Sequence, residues 1–219
     1  MNEEVSKSIA AQLRKPHGDY AIQVGEKMNE GNRLINAYTI DALALEAEDN
    51  VLEIGMGNGF FVKDILSIDG SITYVGCDFS EVMVEQAVKN NQDFIDKERA
   101  NFHVASADKL PFTDDIFDKV FSVNTLYFWD NPPVVLSEIK RVLKPGGSMF
   151  ISIRPKSVMQ HYPFARHGFS LFSKQDLIDL LSGSGFEVTH ITERKEPDQD
   201  VNGNKVIVET LIVGAEKSQ

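Results

Sequence analysis

The sequence predicts a doubly wound α/β fold. Its sheet should have seven strands, mostly parallel, with helices on both faces and an antiparallel strand pair at the C-terminal end. Three observations predict it. Strand-like apolar runs alternate with runs of helical period up to residue 153, which demands parallel strands joined by right-handed crossovers. A cluster of glycines closes the first strand, where sheets of this class hold ligands. Beyond residue 185, two strand-like runs succeed one another without a helix between them.

The elements can be justified in order. Residues 1–32 read as a helical but broken extension: residues 5–14 suit a short helix, Pro16, His17 and Gly18 interrupt it, and Gly25 and Gly31 break the stretch from 19 to 32. Ile35, Tyr38, Ala42 and Leu45 then fall on one helical stripe. Asn50–Ile54 changes period and reads as a buried strand; after Gly59, the residues Phe61, Val62, Ile65 and Leu66 mark a helix. Ile72–Cys77 is the second strand, and Ser80 is the expected N-cap of a helix from Glu81 to about Asn90. Asn101–Val104 and Lys119–Val123 are the third and fourth strands. Pro132 suits the first turn of a helix capped by Asp130 or Asn131, with Val135, Ile139, Val142 and Leu143 on its face. The run Lys144-Pro145-Gly146-Gly147 should stop that helix before a fifth strand, Ser148–Ile153. Ser173-Lys174-Gln175-Asp176 resembles a capping box with Asp in place of Glu. It opens a helix through Leu181 that Gly183 and Gly185 end. Phe186–Thr192 and Lys205–Val213 are the final strands, joined by an acidic connection with the turn dipeptide Asn202-Gly203.

Charge and cysteine content narrow the function. Lys+Arg is 22 and Asp+Glu is 33, a net charge of −11, which argues against nucleic acid or an anionic membrane surface as the main partner. The single cysteine, Cys77, excludes an intrachain disulfide framework and paired-cysteine zinc sites, and reads as a small buried hydrophobe. His17, His103 and His190 form no metal-ligand spacing, so no metal is expected. The polar, acidic start Met1-Asn2-Glu3-Glu4 lacks the pattern of a secretory signal, and no apolar run approaches membrane-spanning length. The expectation is a cytoplasmic protein with no membrane span.

Chemistry concentrates at Glu53-Ile54-Gly55-Met56-Gly57-Asn58-Gly59. Glycines allow a sharp turn and close approach of backbone to ligand. A dinucleotide loop would read G-x-G-x-x-G; here the third glycine comes one residue early. Glu53, two residues before the first glycine, would repel a pyrophosphate but suit a ligand carrying an ammonium or sulfonium group. Asp78 comes at the end of the second strand, 19 positions after Gly59, the spacing expected of an acid on ribose hydroxyls.

Val51–Gly59 resembles the first motif of the class I S-adenosylmethionine-dependent methyltransferases. The resemblance continues in order through Val75–Ser80, Ala105–Phe112, Phe117–Asn124 and Arg141–Gly147, and covers about residues 33–215. Within the superfamily the chain is similar to the ubiquinone/menaquinone-biosynthesis-like branch, which acts mostly on small molecules. Tyr127-Phe128-Trp129 and His167–Phe172 look like a bacterial subset of that branch.

The resemblance implies a Rossmann-like domain over residues 33–219, an N-terminal lid over 1–32, and S-adenosylmethionine as cofactor. It implies that Gly55, Gly57 and Gly59 line the methionine part, with Glu53 at the amino-acid end. Asp78 would take the ribose, and Phe79 and Met83 would pack on the adenine. Ser106 stands where many relatives have an acid reading the adenine amino group. Ser106 and the Ala107 backbone are the expected contacts, with Asp108 an alternative. Asn124 would lie beside the transferred methyl. Asp130-Asn131-Pro132-Pro133 is not read as the D/N-P-P-aromatic motif of amino-group methyltransferases, because Val134 comes next and the segment lies six residues past Asn124. Tyr127, His161, Tyr162 and His167 are candidates for a catalytic base, and Tyr20, Asn32 and Tyr38 for contacts from the lid. The acceptor is expected to be a small molecule, and the aromatic segments suggest an apolar or aromatic one. The rival readings are a nicotinamide-dependent oxidoreductase and a cofactor-binding module without chemistry.

Overall fold

A computed structural model of the chain describes residues 2–201 and 203–217. Three helices lead: α1 (Glu3–Arg14), α2 (Ala21–Gly31) and α3 (Arg33–Leu43). The alternating part comes next as β1 (Asn50–Ile54), α4 (Val62–Leu66), β2 (Thr73–Asp78), α5 (Glu81–Asn90), α6 (Gln92–Ile95), β3 (Ala100–Val104), β4 (Phe117–Val123), α7 (Pro132–Val142) and β5 (Leu143–Ile153). Then come α8 (Lys156–Met159), α9 (Lys174–Gly183), β6 (Phe186–Lys195), β7 (Gln199–Val201), β8 (Asn204–Val206) and β9 (Glu209–Lys217).

The main sheet has seven strands in the order β3-β2-β1-β4-β5-β9-β6. The first five are parallel, and β9 runs antiparallel between β5 and β6. The predicted architecture is therefore present. The order reverses at β1, because β2 lies on one side of it and β4 on the other. Two apolar layers flank the sheet. Leu52, Ile54 and Val120 pack with Leu136 and Ile139 of α7 and Leu177 and Leu181 of α9. Val51, Phe121 and Ile212 pack with Ile35 and Leu43 of α3 and Val62 and Ile65 of α4. No helix of the described residues is long and apolar enough to cross a membrane.

Several local expectations are corrected. Gly25 does not interrupt α2, which runs through it; a Cβ there would meet Asn58 Nδ2 and Met83 Sδ, each at 3.3 Å. Glycine in that helix serves a close approach rather than a break. The buried positions of α3 are Ile35, Asn36, Thr39 and Leu43, while Tyr38, Ala42 and Leu45 of the expected stripe are half-buried. Thr39 is drawn inward because its hydroxyl donates to the Ile35 carbonyl (2.6 Å) and meets Ser152 Oγ at 2.7 Å. Ser80 occupies the N-cap of α5 without capping it; its hydroxyl donates to the Pro16 carbonyl at 2.7 Å. Asn131 likewise sits at the N-cap of α7 without a side-chain bond, and Asp130 pairs with Arg14 instead. Strand β5 begins at Leu143, a residue expected on the face of α7, and runs through the expected stop, with an irregularity before pairing resumes at Ser148. The expected strand Lys205–Val213 is two elements: β8 closes a small hairpin with β7, and β9 joins the sheet. Val206 and Val208 pack on Val158, which anchors that hairpin. Of the expected turn dipeptide, Asn202 lies outside the described residues, and Gly203 has φ +81°. The capping box of Ser173 and Asp176 is formed.

Candidate functional site

The C-terminal ends of β1, β2 and β4 open into a cavity of ≈ 360 Å³, roofed by residues of α1 and α2. A cavity of this size suits a small-molecule ligand, and the sheet's switch point is where this architecture places one.

The glycine loop forms its floor. Gly55, Gly57 and Gly59 have φ of +77°, +60° and +67°, a region costly to residues with a Cβ. Their neighbours differ. A Cβ on Gly55 would come within 2.1 Å of Thr125 Cγ2, so this glycine lets the β1 and β4 loops touch. A Cβ on Gly59 would meet Asn91 Nδ2 at 2.8 Å and Ala87 Cβ at 3.0 Å, and Gly59 does not line the cavity. The expectation that all three glycines face the ligand is corrected: Gly59 packs the loop onto α5. A Cβ on Gly57 would meet nothing within 4 Å, so that backbone faces open space.

Two buried carboxylates stand at the strand ends. Asp78 is 8% exposed; its Oδ2 accepts from the Gly57 N–H (3.0 Å) and its Oδ1 from the Ser80 N–H (2.8 Å). Burial raises its pKa above the usual carboxylate value, and those backbone N–H groups and Lys15 pull the other way. Its remaining lone pairs are what a vicinal diol needs. Glu53 is 5% exposed and accepts from the Tyr74 hydroxyl at 2.6 Å. Burial pushes its carboxyl up to about 7, against the lowering effect of the Tyr74 bond. A ligand bearing positive charge beside Glu53 would offset its desolvation.

Phe79, Met83, Ser106, Ala107, Asp108 and Asn124 line the same cavity. Met83 is fully buried, whereas Phe79 is half open and carries Lys15 Nζ 5.3 Å from its ring centre. Asn124 has φ +56° at the end of β4; its Nδ2 donates to Asn32 Oδ1 (3.0 Å), and its Oδ1 accepts from the Tyr127 hydroxyl (3.0 Å).

The expected bases do not face the cavity. Tyr127 is buried, its hydroxyl accepting from the Arg154 N–H at 2.7 Å and lying 2.8 Å from the Arg154 carbonyl. Burial holds its pKa well above 10. Tyr162 stacks on Phe164 and donates to Gln199 Oε1 at 2.7 Å. His161 is exposed and His167 half-buried, and neither lines the cavity. Of the three lid candidates, Asn32 lines the cavity; Tyr20 is exposed, and Tyr38 lies under Arg194 on another face.

Sequence reasoning missed three groups. Arg14, at the cavity rim, bonds both carboxylate oxygens of Asp130, at 2.8 and 3.0 Å. Arg154, at the end of β5, forms a buried pair with Glu196 at 3.0 Å. Asn58 lines the cavity with its Oδ1 buried and unpartnered. An arginine at the end of the apolar run Met149–Ile153 was a visible signal of a buried ion pair, but its partner lies 42 positions away.

A backbone cradle at Gly57 beside a buried acid with free lone pairs at Asp78 suits an adenosyl-type ligand. The cradle at Gly57, the free lone pairs of Asp78 and the uncompensated Glu53 carboxyl fit S-adenosylmethionine. The comparisons agree. Residues 52–151 match the family described as Methyltransferase domain. The uncharacterized methyltransferase YdaC of Bacillus subtilis is 29% identical over 132 residues, covering 60% of this chain and 71% of YdaC. The uncharacterized protein MJ1123 of Methanocaldococcus jannaschii is 30% identical over 178 residues, covering 77% of this chain and 80% of that protein. A SAM-dependent methyltransferase from Aquifex aeolicus shares the fold with a TM-score of 0.69 at 19% identity, over 89% of this chain and 97% of that one. Residues 52–151 carry a methyltransferase domain, the fold is that of the class I S-adenosylmethionine-dependent methyltransferases, and the cofactor is S-adenosylmethionine.

Proposed function

We propose that this protein methylates a small, largely apolar acceptor bound between the N-terminal helices and the β4–α7 loop. One observation carries the reading. Besides the glycine loop and Asn124, the cavity is lined by the apolar side chains of Leu13, Met28, Phe128, Trp129 and Val135. That wall offers burial to an apolar molecule, and the net charge of −11 disfavours a polyanion.

Gly55 and Gly57 would hold the methionine part through backbone, with Glu53 at its ammonium end. Asp78 would accept from the ribose hydroxyls, and Phe79, Met83, Ser106 and Ala107 would enclose the adenine. When bound, the cofactor supplies an electrophilic methyl on a sulfonium. The chain's own part is to exclude water and hold the acceptor in line, and both can carry much of the acceleration. Residues 1–32 act as a lid over the domain formed by the remaining residues. Ser80 to Pro16, Arg14 to Asp130, and the close pass of Gly25 over Met83 fasten it.

The test is calorimetric and thermal-shift titration with S-adenosylmethionine, S-adenosylhomocysteine and NAD(H). A ligand bound only by the folded state raises stability with its concentration. The expected result is stabilisation by the two adenosyl sulfur ligands, lost in Asp78→Ala, and none by NAD(H). No response to either at millimolar concentration would sink the proposal. Cofactor binding without transfer to any acceptor would favour a module without chemistry.

A further inference from the structure

We propose that Asn32 orients the acceptor through its amide N–H groups, and that the acceptor is an organic acid bound as its anion. This rests on the methyltransferase reading above and names the substrate class of the same site.

Asn32 sits at the junction of α2 and α3, where the lid meets the domain. Its Oδ1 accepts from Asn124 Nδ2 (3.0 Å) and from Arg154 Nη1 (3.3 Å). Both donors are themselves fixed. Arg154 Nη2 donates to the Gly31 carbonyl (2.8 Å) and to Glu196 Oε2 (3.0 Å). Asn124 Oδ1 takes the Arg154 backbone N–H (3.3 Å) and faces the Tyr127 hydroxyl, so Asn124 must turn its nitrogen toward Asn32. Reversing the Asn32 amide would set its N–H groups against a guanidinium and another N–H. The network therefore leaves one orientation, with the Asn32 NH₂ as the free end. Asn32 lines the cavity, and neither amide hydrogen meets an acceptor among the described residues. Two oriented donors beside Asn124 call for a ligand oxygen.

The protonatable groups of the wall point to the same class. Among the described lining residues these are Glu53, Cys77, Asp78, Asp108 and Asp130; no histidine, lysine or tyrosine lines the cavity. Asp78 and Cys77 belong to β2, two strands from β4 and so on the order of 10 Å from Asn124. Asp108 lies past the end of β3, one strand further out. Glu53 takes the Tyr74 hydroxyl on Oε2 and, in the reading above, faces the ammonium end of the cofactor, while Asp130 is paired with Arg14 at the rim. No base stands beside Asn32 and Asn124 to take a proton from a neutral acceptor. An anion needs none: its lone pair forms the new bond to carbon as the carbon–sulfur bond breaks toward sulfur, and no proton changes place. The protein's overall negative charge repels an anion at long range, so these local donors and the sulfonium must supply the attraction.

The probes are octanoate and 4-nitrophenolate against octanol and octylamine. Each is titrated at neutral pH into protein saturated with S-adenosylhomocysteine, for the wild type, Asn32→Ala and Asn32→Asp. Asn32→Asp keeps the size and the Arg154 contact while replacing the donors with acceptors, and melting temperatures verify both folds. The expected result is binding of the two acids at least about tenfold tighter than of octanol or octylamine. Each variant should weaken the acids about tenfold, Asn32→Asp the more, with the affinity for octanol unchanged. Equal or tighter binding of octanol or octylamine overturns the proposal. So does an unchanged octanoate affinity in Asn32→Asp, or failure of both acids to bind. If S-adenosylhomocysteine itself does not bind, the methyltransferase reading has failed instead.

Discussion

The two halves of the cavity are built in different ways. The half proposed for the cofactor is built on backbone at the positive-φ glycines Gly55 and Gly57, with two carboxylates on adjacent strand ends tied to it by contacts such as the Gly57 N–H to Asp78. The half proposed for the acceptor is made of side chains that meet across the chain. Asn32 meets Asn124 and Arg14 meets Asp130, over separations of 92 and 116 positions, and Arg154, paired with Glu196 42 positions away, supports Asn32 from outside the lining. A backbone cradle has one shape that any sequence keeping its glycines reproduces. A side-chain wall changes whenever one partner changes. This is the division expected of a scaffold that keeps one cofactor and varies its acceptors.

The largest predicted effect tests whether a buried ion pair holds the acceptor half together. Arg154 and Glu196 have side-chain exposures of 11% and 4%, and Arg154 Nε already lacks a partner. Glu196→Ala leaves the guanidinium buried without a counter-ion and should cost about 3–5 kcal/mol in chemical denaturation. Glu196→Gln keeps an acceptor for Arg154 and should cost less. A loss below about 1 kcal/mol in Glu196→Ala would show that this half does not depend on the pair.

The glycines sharpen the contrast within the cofactor half. Gly55→Ala meets both a positive φ and Thr125, and should cost about 2–4 kcal/mol. Gly57→Ala meets only the backbone penalty of about 1–2 kcal/mol. Its new methyl projects into open cavity, so it should lose S-adenosylhomocysteine affinity out of proportion to stability. Calorimetry and denaturation on both variants separate the two costs. Equal stability losses would mean that the β1 and β4 loops do not touch at Gly55.

The same contrast explains what could be read from the sequence. The sheet, its switch point, the glycine loop and Asp78 were legible because each depends on residues within a few positions or on a fixed spacing. The Asn36–Thr39 face of α3 was not legible, because Thr39 meets a polar partner inside the fold at Ser152, 113 positions away. Lys205–Val213 read as one strand because strand propensity does not record that Val206 and Val208 pack on Val158. Tyr127 looked like a base because an aromatic hydroxyl beside a strand end suits that role. Its bonds to the Arg154 backbone could be known only from the folded chain.

Glu53 belongs to the backbone-built half yet carries an electrostatic cost. Its folded pKa of about 7 lies above the ordinary value of 4.5. Its favourable contribution is therefore fully present below about pH 4.5 and lost as the pH rises through about 7. Glu53→Gln can still accept from Tyr74, so it should stabilise the ligand-free protein at pH 8 by about 2–3 kcal/mol and change little at pH 4.5. The same variant should bind S-adenosylmethionine more weakly. Denaturation at the two pH values measures the first effect, and a pH-independent difference would remove the burial argument.

The smallest effect on stability comes from the strap at the rim. Arg14 and Asp130 have side-chain exposures of 41% and 85%, so solvent screens their two-pronged contact. Asp130→Asn should cost under about 1 kcal/mol, with the difference shrinking in high salt. Yet the pair joins α1 to the loop before α7 across the cavity mouth. If the cofactor half is self-contained, Asp130→Asn leaves S-adenosylhomocysteine affinity unchanged and alters only acceptor binding and its salt dependence. A matching loss of cofactor affinity would mean that the lid also closes the cofactor half, and the two halves would have to be treated as one unit.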